Sequence, residues 1–155
     1  LAFAPWILVR GAGVVLGWVV GVLGFLYAAF YTALDVLAGI GAGGLAYDGM
    51  GMATSTVFGL GNHLGEVGSV AFIAAVVVSA GSCIVRFRTA AIPGSVLVSV
   101  GAILFLNAHI YFPLGVVGQL CLALGWVWLY FVVERAARVH SALRPHPVES
   151  AAQPR

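Results

Sequence analysis

Four apolar runs, each long enough to cross a hydrocarbon layer and almost free of charge, decide what this chain can fold into. A lipid interior offers the backbone no water, so every amide must bond within its own segment. A helix of about 20 apolar residues meets that condition. The runs cover about residues 11–40, 68–85, 92–111 and 114–133. Arg86, Arg88 and Pro93 separate the second from the third, and Pro113 separates the third from the fourth. Charged residues make up 8% of the chain and hydrophobic residues 62%, with a mean hydropathy of +1.09. A soluble surface needs about 25% charged residues. The expected fold class is therefore an all-α integral membrane protein, with four transmembrane helices in an antiparallel bundle.

The arginines set the expected orientation. Arg10 precedes the first run, Arg86 and Arg88 join the second to the third, and Arg135, Arg138, Arg144 and Arg155 follow the fourth. Cytoplasmic loops carry the excess of basic residues, which places both termini and the middle loop on the cytoplasmic side. The absence of Lys and the abundance of Ala, Gly, Val and Arg suit a GC-rich bacterial genome, and hence a bacterial plasma membrane. The chain opens on Leu1 rather than Met. Its first apolar run exceeds the roughly 7–15 residues of a cleavable signal's core, so it is read as a retained span. The expected plan is one membrane domain over about residues 1–139 and a flexible cytoplasmic tail over 140–155. An external loop is expected over about residues 41–67, longer than most connections. It is apolar enough to lie on the membrane surface, with a short helix from Thr54 to Leu60.

Spans associate in lipid through close approach of small residues. Gly13, Gly17, Gly21 and Gly24 form such a ridge on the first span. Ala71, Ala75 and Ser79 form one on the second, and Ser95 and Ser99 one on the third. These ridges can hold the chain's own bundle together or dock a partner protein.

The few polar residues within the runs are the candidate site. Asp35 returns to within about 40° of Gly13 at 100° per residue, so it is expected on the packing face, one to two turns below the outer surface. Asn107 and Gln119 should lie at its depth, making a polar cluster of Asp35, Asn107 and Gln119 that serves either as a fastener or as a ligand site. His109 is about 200° from Asn107 on a helix, and is therefore expected at the lipid-facing rim. His63 and Glu66, three residues apart at the mouth of the second span, make a possible outer-rim site with His109.

Catalytic chemistry finds little support. There is no GxSxG motif, and Cys83 and Cys121 are too far apart in sequence for a CxxC redox pair. A net charge of +2 does not suggest nucleic-acid binding. No cofactor or metal is expected. Haem is a weak alternative, because His63 stands at a helix mouth, His109 faces away from the bundle, and His140 and His146 lie on the cytoplasmic side. The leading expectation is a non-enzymatic accessory or assembly subunit, partnered by the bilayer and by another membrane protein or a second copy of itself. The alternatives are small-ligand or proton-coupled transport centred on Asp35, and a haem- or quinone-binding redox module.

Overall fold

The computed structural model describes residues 2–109 and 111–142. These residues form helices joined by short turns, with no strand among them. Residues 143–155, which include His146 and most of the expected tail, lie outside the described residues. The elements are α1 (Ala4–Val9), α2 (Val14–Leu34), a π-helical segment (Asp35–Gly41), α3 (Ala42–Tyr47) and α4 (Gly51–Phe87). A 3₁₀ turn (Arg88–Ala91), α5 (Ile92–Ala108) and α6 (Leu114–Ala142) follow. Three stretches are long and apolar enough to cross a membrane: Val14–Tyr47, Gly51–Ala108 and Leu114–Val139. The middle one contains both α4 and α5.

The boundaries follow from local chemistry. Pro5 and Pro93 stand in the first turns of α1 and α5, where a missing amide proton costs nothing. Gly49, at φ +73°, makes the turn that separates α3 from α4. Helix α4 ends at Arg88, whose φ of +50° breaks the helical path and starts the return along α5. Along that return the Ser95 hydroxyl donates to the Ala80 carbonyl at 3.5 Å.

The segment expected as an external loop, 41–67, is instead mostly helix. No proline falls between Pro5 and Pro93 to stop it. The Thr54, Ser55 and Thr56 hydroxyls donate back to the carbonyls of Met50, Gly51 and Met52 at the start of α4. The short helix expected at Thr54–Leu60 is thus the start of a 37-residue helix, about 55 Å long.

Glycines decide how closely the helices meet. On α5 and α6, Gly94 and Gly101 face Gly125 and Gly118. A Cβ at Gly101 would stand 2.8 Å from the Gly118 carbonyl oxygen, and one at Gly125 2.8 Å from the Val98 amide nitrogen. Around this contact Phe72, Val76, Val98, Leu122 and Leu129 are almost wholly buried. The ridge on α2 is met within the chain itself. It packs against α1, which folds back along it, rather than against another long helix. Cβ atoms at Gly17, Gly21 and Gly24 would meet Arg10, the Trp6 ring and the Ala2 carbonyl, while Gly13 meets nothing within 4 Å. The expected small residues of α4 are used as read: Ala71, Ala75 and Ser79 are buried.

Gly101→Ala should therefore destabilise the protein by about 1–3 kcal/mol, because the new methyl group meets backbone rather than a movable side chain. Gly81→Ala, with open space around it, should be neutral or stabilising by up to about 1 kcal/mol. Thermal unfolding of the two variants in detergent checks the contrast.

Candidate functional site

At one end of the bundle, three parts of the chain enclose a cavity of about 430 Å³. The end of α2 and the π-helical segment supply Tyr31, Leu34, Asp35, Ala38 and Gly39. Helix α4 supplies Phe58, Asn62, Gly65, Glu66 and Ser69, and the end of α5 with its turn supplies Phe105, Leu106, His109 and Tyr111. The α4 residues recur at helical spacing along a single face.

Close backbone approach makes this enclosure. A Cβ at Gly61 would stand 2.9 Å from the Ala38 amide nitrogen, one at Gly65 2.7 Å from Leu34 Cδ2, and one at Gly68 3.2 Å from the Tyr31 amide nitrogen. These three glycines bring α4 against the end of α2, and so set Glu66 and Asp35 on one cavity. The π-helical turn begins at Asp35, and such wide turns recur at functional sites in helices.

Asp35 is exposed at the cavity rather than sealed in the bundle. The buried stripe of α2 runs through Gly17, Val20, Gly24 and Tyr27, and Tyr31 and Leu34 continue it half-buried. Asp35 stands one residue off that stripe, on its flank. Gly13, the residue used to orient it, precedes the first turn of α2 and meets nothing within 4 Å, so it does not mark a packing face.

Asn107 does not reach Asp35. It is exposed, and its Nδ2 donates to the Ile103 carbonyl at 2.7 Å. Gln119 is half-buried on α6 and does not line the cavity. The structure therefore separates the expected cluster of Asp35, Asn107 and Gln119. It brings Asp35 together with Glu66 and His109 from the expected outer-rim set.

His109 turns inward. The 200° separation from Asn107 holds only if the helix continues, and α5 stops at Ala108. His109 has φ +51°, a conformation costly for a side-chain-bearing residue, and its ring lies back over the cavity wall. Its centroid is 5.1 Å from Tyr31, 5.6 Å from Phe105 and 6.1 Å from Tyr111, and its Nδ1 is hydrogen-bonded to the Tyr31 hydroxyl. Burial lowers the imidazole pKa below its ordinary value, which keeps the ring neutral at pH 7. Among the described residues no Lys or Arg lines this cavity.

His63 and Glu66 approach to 3.7 Å, but both side chains are more than three-quarters exposed, so the pair contributes little to stability. His63 does not line the cavity. Among the described residues no three His, Cys, Asp or Glu side chains are grouped to hold a metal ion, so the three-ligand rim does not assemble. Cys83 and Cys121 are both free.

Ser69 escaped the sequence reading, as did Asn62. Ser69 is 8% exposed and lines the cavity. Their signal is present in the chain: Asn62, Glu66 and Ser69 fall at i, i+4 and i+7 once α4 is extended upstream of residue 68.

No family model, curated protein or solved structure matches this chain.

The lowered pKa of His109 carries a sign. Its folded value lies below the unfolded value of 6.5, so in the window below pH 6.5 the unfolded chain takes up the proton first and stability falls with pH. Unfolding followed in detergent from pH 7 to pH 5 should show this loss, and His109→Gln should remove its part of it.

Proposed function

We propose that this chain is a four-span protein of a bacterial plasma membrane that binds a small ligand in the cavity at its arginine-free end. The single observation that carries the reading is the cavity itself. Asp35, Glu66, His109, Tyr31, Tyr111 and Ser69 converge on it from three helices. Pockets for small molecules have this form: a mostly apolar wall with a few converging polar groups.

The orientation rests on charge. Arg10 precedes α2, Arg86 and Arg88 lie between α4 and α5, and Arg135 and Arg138 are near the end of α6. With α4 and α5 as two separate crossings, all five lie on the cytoplasmic side, together with both termini. The cavity then opens outward, and a ligand reaches it without crossing the hydrocarbon. A transport function centred on Asp35 uses the same site.

The alternative of an accessory subunit drew support from small-residue ridges free to dock a partner. Within this chain Gly17, Gly21 and Gly24 are already covered by the segment around α1, and Ala71, Ala75 and Ser79 are buried on α4. That leaves the cavity as the better-supported centre of function.

Thiol labelling tests the reading. In intact cells, a membrane-impermeant maleimide should label Ser69→Cys and Asn62→Cys from outside. Ser141→Cys, exposed near the end of α6, should label only after permeabilisation. Labelling of Ser141→Cys from outside would reverse the orientation. A Ser69→Cys thiol that stays unreactive in folded protein would remove the cavity as an accessible site.

A further inference from the structure

We infer that a groove at the arginine-bearing end of the bundle holds an anionic phospholipid, its phosphate at Arg135 and an acyl chain along α6. The groove is separate from the cavity above. The inference needs only the reading of this chain as a membrane protein.

Helix α6 and the end of α4 with its 3₁₀ turn frame a groove of about 720 Å³. Trp128, Phe131, Val132 and Arg135 line it from α6, and Phe87 and Ala90 from the opposite side. The α6 residues recur at helical spacing and so form one stripe, roughly 10 Å long from Trp128 to Arg135. The Trp128 indole donates to the Ala90 carbonyl at 2.9 Å, which ties the two walls together.

Charge decides the occupant. Arg135 is exposed, just past the end of the fourth apolar run, and so stands where a hydrocarbon layer gives way to headgroups. The Arg86 guanidinium lies 5.1 Å from the centroid of Phe87, so a second cation stands beside a ring that lines the groove. Among the described residues no carboxylate lines the groove. Glu134, next to Arg135 in sequence, is paired with Arg138 at 3.7 Å, and Arg135 has no ion-pair partner among the described residues.

A bilayer supplies lipid to this face in any case, and what the groove selects is the headgroup. An acyl chain suits the apolar stripe, and a guanidinium binds phosphate through two parallel N–H···O bonds. A zwitterionic headgroup brings its own cation to the same place, where it meets Arg135 and Arg86. Basic pockets between spans take anionic headgroups for this reason.

The test reconstitutes the full chain in vesicles of phosphatidylcholine and phosphatidylglycerol, with each lipid in turn carrying brominated chains that quench tryptophan on contact. Trp6→Phe/Trp18→Phe/Trp126→Phe leaves Trp128 as the reporter on the groove wall. Should that variant fail to fold, the difference between wild type and Trp128→Phe isolates the same signal. Competition between the lipids at Trp128 should favour phosphatidylglycerol by about five-fold or more, the preference one arginine supplies at a membrane surface. Arg135→Gln should lower the ratio about five-fold, and Arg138→Gln, which removes an exposed arginine outside the groove, should leave it unchanged. A ratio near one in the wild type would overturn the proposal, as would a ratio that survives Arg135→Gln. An equal loss in Arg138→Gln would reduce the effect to general surface charge and overturn the site. Quenching by neither lipid would mean that a second copy of the chain covers the groove, which overturns it too. Both leaflets carry the same lipids, so a reversed orientation in the labelling experiment leaves this result standing.

Discussion

Close backbone contact through glycine is the interaction on which the rest of this structure depends. In lipid, helices gain nothing by excluding water from one another, so they are held by van der Waals contact, which falls away steeply with distance. Gly94 and Gly101 on α5 meet Gly125 and Gly118 on α6, and a single methyl group at any of them would strike the facing helix. The same device at Gly61, Gly65 and Gly68 draws α4 against the end of α2. The first contact makes the bundle; the second makes the cavity.

The polar end follows from that geometry. With α4 held close to the π-helical turn, Glu66 and Asp35 share one space, and the tip of α5 closes it. His109 joins them because α5 ends one residue before it and its positive φ folds the ring back over Tyr31 and Phe105. The opposite end is built differently. There α1 lies against the glycines of α2, Trp6 stacks against the Arg10 guanidinium at 5.4 Å, and the Trp128 indole donates to the Ala90 carbonyl. One end carries Arg10, Arg86 and Arg88, the other the two carboxylates of the cavity.

Much of this was legible in the chain, with specific limits. The apolar runs read directly as long helices, since length and the lack of charge suffice for that. Asp35 was singled out for the same reason, as an acid in an apolar run. Its neighbours were not, because a helical wheel orders residues on one helix and says nothing of which face meets which partner. The glycine ridge of α2 does not name its partner, which is the segment from Ala2 to Arg10 folded back along it. Asn107 looked buried by its polarity alone, yet a bond to its own helix carbonyl satisfies it in an exposed position. Apolarity alone starts the second run at residue 68, whereas α4 begins at Gly51, and the glycines upstream weigh against helix locally by about 1 kcal/mol each. Tertiary contact reverses that weight at the three positions where only glycine fits.

By itself, then, the sequence determined the lipid-suited helices, the segregation of arginine and the presence of one acid near the end of an apolar run. These depend on composition and on spacing along a single segment. Only the tertiary structure decided that Asp35 stands with Glu66, His109 and Ser69, and apart from Asn107 and Gln119. That grouping depends on where three helices end and how closely two of them approach, and neither distance is written in the pattern of any one helix.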